Sequence, residues 1–134
     1  LDTDVRDLVV GAVAGPVALG TALVLRARNA REFRSLDSDP AASPVVTRQF
    51  SRTDRLLIRV PVYASDGIPD LTVRLATAKG QGMRELAVTA VPGSNVRQID
   101  LPLAGLAPAE YRIEFLATKG DATAQDSLTF RVTP

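Results

Sequence analysis

Carboxylates and guanidinium groups carry the charge chemistry of this 134-residue chain, with 15 Asp and Glu against 16 Lys and Arg and neither His nor Cys. Without those two residue types, thiol nucleophiles, His-based triads, haem ligation by His and the usual Cys/His zinc sites all fall away. Glycoside hydrolysis is a reaction that a pair of carboxylates can run. It requires two of them about 5–10 Å apart across a groove, one with a raised pKa. Glu110 and Glu114 present themselves as such a pair. A chain this rich in acids always offers pairs, however, and nothing around these two raises either pKa, so no catalytic residue is expected. Calcium would use clustered oxygen ligands on a loop. Asp2, Asp4 and Asp7 form one such cluster, Asp37 with Asp39 another, and Asp66 with Asp70 brackets Gly-Ile-Pro. None has the spacing of a calcium loop, and solvated turn residues are the expectation, with no metal and no cofactor.

Arginine recognises anions by bidentate contacts. Arg26, Arg28, Arg31 and Arg34 form the densest basic group, while Lys occurs only at positions 79 and 119. Arg26 and Arg28 would share a strand face and Arg31 and Arg34 a helix face, together suited to an acidic partner or a sulfated or phosphorylated glycan. The alternative is a solvated face whose partners are Glu32 and Asp37. Tyr63, beside Pro61 and near an Asp-Gly turn, is placed outward, where it could stack on a sugar or anchor an interface. Nucleic acid is not expected, because the net charge is only +1 and no aromatics interleave with the arginines.

One stretch argues for a membrane. Leu8 to Leu25 is uncharged and just long enough to cross a bilayer, with Arg26, Arg28, Arg31 and Arg34 behind it. Gly15-Pro16 at its centre and Gly20 soon after favour two strands joined by a turn. These are read as Val5 to Val13 and Thr21 to Arg28.

The elements that must position these residues are strands, since apolar residues alternate nearly throughout. Leu56, Ile58, Val60 and Val62 form one row, opposed by Arg59, Pro61 and Tyr63, and Pro61 argues for an edge or a bulge. Leu71, Val73 and Leu75 form a second row. Further strands are expected at Val45 to Phe50, Leu86 to Val91 and Val96 to Leu103. Tyr111, Ile113, Phe115 and Ala117 make a third inward row, and Leu128, Phe130 and Val132 a fourth. Hairpin turns fall at Lys79-Gly80-Gln81-Gly82, Pro92-Gly93-Ser94-Asn95 and Lys119-Gly120-Asp121. Asn29 and Glu32 have the spacing of a capping box, predicting a short helix near residues 30–36 anchored by Phe33 and Leu36, with an extended edge segment as the alternative. Leu106 and Pro108 just before Tyr111 are the structural corner of an immunoglobulin-type sandwich, in which the Tyr ring packs inward and its hydroxyl bonds back to the turn. The expected fold is therefore all-β: one two-sheet immunoglobulin-like sandwich over residues 1–134, of about eight or nine strands, excised from a longer protein.

Three segments, Leu25-Arg26-Ala27-Arg28-Asn29-Ala30-Arg31-Glu32-Phe33-Arg34, Pro44 to Arg59 and Asp100 to Leu106, join the Tyr111 corner in a wider likeness. Together they resemble the C-terminal region of secreted bacterial proteins that carry a von Willebrand factor A-related domain upstream. The resemblance implies an accessory domain outside the cytoplasm and supplies no functional residues. The sandwich is also similar to fibronectin type III modules, although the inter-sheet Cys pair and core Trp of antibody domains are missing. The function expected is a non-catalytic spacer or protein-interaction module of a larger exported bacterial protein. The alternatives are a carbohydrate- or calcium-binding sandwich, or a membrane-anchored domain with its span at residues 8–25.

Overall fold

A computed structural model describes residues 17–134 except 40 and 66. Ten strands and one helix follow in the order β1 (Val17–Leu19), β2 (Leu23–Ala27), α1 (Ala30–Asp37), β3 (Gln49–Ser51), β4 (Arg55–Ala64), β5 (Asp70–Thr77), β6 (Gly82–Leu86), β7 (Val88–Ala90), β8 (Val96–Pro102), β9 (Ala109–Lys119) and β10 (Ala122–Thr133). They form two five-stranded sheets. In the first, β4 pairs with β1 and β2 on one side and β8 on the other, and β7 lies beyond β8. The second runs β3-β10-β9-β5-β6, all antiparallel except β3 against β10. The fold is an all-β two-sheet sandwich.

The alternating rows are what hold the layers together. Leu56, Ile58, Val60, Ile99 and Leu101 from the first sheet meet Val73, Leu75, Ile113, Phe115, Phe130 and Val132 from the second in one buried core. Aromatic packing concentrates near the corner: Tyr111 stacks on Phe130 at 5.7 Å between centroids, and Phe50 meets Phe130 edge-on at 6.3 Å. The Tyr111 hydroxyl donates to the Ala107 carbonyl at 2.6 Å, with Leu106 buried beside it. The corner thus forms as the sequence predicts, and it fixes the crossing from β8 in one sheet to β9 in the other.

Several local expectations need correction. Val17–Leu19, expected within a connection, is a strand. The expected strand Val5 to Val13 lies outside the described residues. Residues 17–25 of the candidate membrane span fall on β1 and β2, and no described helix is long and apolar enough to cross a membrane. Pro61 marks a bulge rather than an edge. Leu19 pairs with Val62 but Leu23 with Arg59, so the β1–β2 line carries one extra residue opposite Pro61. The Val62 N–H turns toward the β8 side, to Asn95, so position 61 turns its missing N–H toward that interruption. Gly20 donates to the Pro61 carbonyl at 2.9 Å, and a Cβ on it would lie 2.6 Å from Pro61 Cγ, so only glycine fits there without movement. Of Val45 to Phe50, only the end is strand; Val45 instead donates to the Val24 carbonyl beside β2. The single strand expected over Leu86 to Val91 is two, β6 and β7, because the chain changes sheets at Ala87.

The helix forms rather than the extended alternative. Asn29 Oδ1 accepts the Glu32 N–H, a donor that the first turn leaves free, and Glu32 Oε1 reaches back to the Arg28 N–H just before the cap. α1 packs against β2 and β4 on the outer face of the first sheet, where Leu25, Ala27 and Leu57 are buried apart from the main core.

Candidate functional site

Arg59 projects from that outer face and is only 7% exposed. Its guanidinium donates to the carbonyls of Leu36 at 2.7 Å and Asp39 at 2.6 Å, and to Gln98 Oε1 at 3.1 Å. Gln98 in turn donates to Asp37 at 2.7 Å. The cation therefore adds a second donor to carbonyls at and just past the helix C-terminus, which also accept the Asp39 and Ala42 N–H groups, where the helix dipole favours positive charge. Next to it Arg55 pairs with Asp100 and lies 3.8 Å from the centroid of the Phe33 ring. The bond to Asp100 holds the Arg55 pKa above its ordinary value, against a smaller opposing effect of burial. All of this chemistry is positional: it fastens α1 to the sheet.

The four candidate arginines do not form one site. Arg26 is half-buried and pairs in register with core-facing Leu56, so its Cβ points to the face opposite α1. Arg28 lies past the end of β2, and only Arg31 and Arg34 share the helix. The ionic partners expected for them are otherwise engaged: Glu32 caps the helix, and Asp37 accepts from Gln98. Tyr63 is outward and 43% exposed, as expected, with Gly20 beneath its ring.

The outer face of the second sheet carries a further polar cluster, of which only Glu114 stood out in the sequence. Glu114 on β9 accepts from Arg74 Nε on β5 at 2.8 Å, and Arg112 Nη1 stands 3.6 Å from its other oxygen. The Arg74 hydrogen bond is the main cause that holds the Glu114 pKa below the ordinary carboxylate range. Thr72, Leu116, Gln125 and Ser127 line a depression of about 640 Å³ around this cluster. A general acid needs the opposite shift, so Glu114 is placed to stay ionised rather than to donate a proton. Glu110 sits across from Arg131, two residues further along than Arg112 in the strand register.

The acidic loops are likewise turned to structure. Asp39 Oδ1 accepts the Ala41 N–H at 2.9 Å, and Asp37 is held as above. Asp70 opens β5, whereas Asp2, Asp4, Asp7 and Asp66 lie outside the described residues. Among the described residues no group of three acids, His or Cys is placed to hold a metal. Asp54, which the sequence did not single out, is buried; it accepts the Ser51 N–H at 2.9 Å and closes the turn between β3 and β4. No family model matches the chain, and no curated protein sequence matches it.

Proposed function

We propose that this chain is a non-catalytic, immunoglobulin-like in-line module that holds neighbouring parts of a larger exported protein at a fixed separation. The order β1/β2-β4-β8-β7 against β10-β9-β5 supports the immunoglobulin-like assignment, since it corresponds strand for strand to A-B-E-D against G-F-C. The observation that supports the function is where the first and last described strands lie. Val17 pairs with Ala64 at the pole formed by the β4–β5 and β9–β10 turns. Thr133 pairs with Ser51 at the opposite pole, beside the start of β4. Described strands that reach both poles around one packed core make a rigid body that keeps its two poles apart, as a spacer must. The resemblance of its segments to secreted bacterial proteins supports the extracytoplasmic setting.

The chain has no Cys, so two introduced thiols can be labelled cleanly. Dyes at Asp121→Cys and Thr53→Cys, on exposed turns at opposite poles, should report one narrow separation of roughly 40 Å, the length of a twelve-residue strand. That separation should persist when folded domains are fused at both ends. A broad or shifting separation would sink the spacer function. A glycan or calcium ion that raises the melting temperature would favour a ligand-binding module instead.

A further inference from the structure

Val46 is 96% exposed, twice the value of the next large apolar side chain among the described residues, Ile68 at 48%. Residues 42–48 around it are the longest stretch of the described chain without a regular element. Among the described residues nothing accepts the Val46 or Thr47 N–H. An endopeptidase needs both conditions, a side chain free to enter its S1 pocket and main-chain groups not already paired, and nicks therefore concentrate on exposed loops. A short, branched, uncharged side chain suits the small S1 pocket of an elastase-type serine protease rather than the acidic pocket that takes Arg. The neighbouring arginines are poorer targets. The Arg48 carbonyl accepts the Arg131 N–H at 2.7 Å, so the bond after it belongs to the seat of β3. Arg52 lies in the turn that Asp54 closes by accepting the Ser51 N–H at 2.9 Å.

We propose that the Val46–Thr47 bond is a processing site for a serine protease of this class, and that the two pieces stay joined after the cut. Hydrolysis breaks the amide C–N bond. Water supplies a hydroxyl to the Val46 carbonyl carbon and a hydrogen to the Thr47 nitrogen, leaving a carboxylate and an ammonium at the new ends. Both ends are held from behind. The Val45 N–H donates to the Val24 carbonyl at 2.8 Å on one side, and Arg131 holds Arg48 on the other. Arg48 Nη1 spans the cut, reaching the Val45 carbonyl at 3.2 Å before it and the Thr47 carbonyl at 3.0 Å after it. Deeper in the fold, β2 on the N-terminal piece pairs with β4 on the C-terminal piece from Leu23 to Ala27. Arg59 likewise reaches across to the carbonyls of Leu36 and Asp39. Processing thus turns one covalent path into two chains held by pairing, a break point that goes beyond the spacer function.

Brief digestion of the full native chain with pancreatic elastase, read by intact-mass spectrometry, tests this. The first cut within residues 17–134 should fall between Val46 and Thr47. On size exclusion the cut chain should elute as one species without denaturant and as two in urea. Val46→Asp should slow the cut by about tenfold or more, since apolar pockets that discriminate single methylenes to that degree reject a charge. Val46→Arg should hand the site to trypsin, which should leave residues 41–52 of the wild type uncut over the same time. Both substitutions fall on a side chain outside the packed fold, so neither disturbs folding. A first cut elsewhere in residues 17–134 would overturn the inference, as would a cut that Val46→Asp leaves as fast. So would trypsin cutting the wild type after Arg48 or Arg52, or sparing the Val46→Arg chain. Pieces that part without urea would overturn the claim that they stay joined.

Discussion

Deleting one oxygen, in Tyr111→Phe, isolates what the corner hydroxyl adds. The ring would keep its stacking on Phe130, and only the bond to the Ala107 carbonyl would go. The expected loss is about 1 kcal/mol of stability, the usual net worth of one hydrogen bond, measured by urea unfolding. A loss near zero would mean that packing alone sets the corner. Glu114 makes a second test at this scale. Its pKa is lowered in the folded chain, first by the Arg74 hydrogen bond and then by the charges of Arg74 and Arg112. A depressed carboxylate contributes stability that is fully present above its unfolded pKa and fades as pH falls through the lower folded value. Carbon-detected NMR titration should therefore place the Glu114 midpoint below that of a free Glu peptide. Arg74→Ala should move it upward more than Arg112→Ala does.

Among the elements, α1 is the one held in place by a few polar side chains, Arg59 foremost among them. A helix of eight residues does not hold itself in water, and none of its side chains is fully buried. Arg59→Ala would leave the carbonyls of Leu36 and Asp39 with only their backbone donors, the N–H groups of Asp39 and Ala42. We expect a cost of about 1.5–3 kcal/mol, as for bonds to a charged donor, and loss of hydrogen-exchange protection in α1 while β9 and β10 keep theirs. Arg59→Lys should not restore it, because one ammonium cannot reproduce the planar fork that reaches both carbonyls and Gln98. Uniform loss of protection across both sheets would show that Arg59 supports the sandwich instead. The helix itself was legible, because Asn29 and Glu32 act within one turn and local spacing suffices. So were the inward rows of β4, β5, β9 and β10, since one buried face imposes period two. Arg59 was not, because it alternates outward like Arg55 and Tyr63, and only the returning chain buries it. The corrections at β1 and at β6 and β7 share that cause: the bulge at Gly20 and the change of sheet at Ala87 are set by partners distant in sequence. Glu114 stands out in the sequence only beside Glu110; that Arg74 is its partner was not legible, because Arg74 lies on another strand whose register no local pattern reports.

For the molecule as a whole, the order in which the sheets close is the remaining consequence of this topology. The β5–β6, β7–β8 and β9–β10 hairpins join neighbours in sequence. β3 must instead find β10 across the length of the chain, and Thr133 donates to the Phe50 carbonyl only once that loop is closed. Closing such a loop spends chain entropy before the contacts return it, so sandwiches of this kind refold in about milliseconds to seconds. The hairpins and the Tyr111 corner are the contacts that can form first, which places Ile113 in the early structure and Phe50 in the late. Ile113→Val, costing about 0.5–1.5 kcal/mol, should then slow refolding with little change in the unfolding rate. Phe50→Leu should do the reverse, leaving refolding nearly unchanged and speeding unfolding. Stopped-flow measurements of both limbs decide the matter. If Phe50→Leu slows refolding as much as Ile113→Val, the β3–β10 closure belongs to the nucleus, and the long loop is shut before the hairpins consolidate.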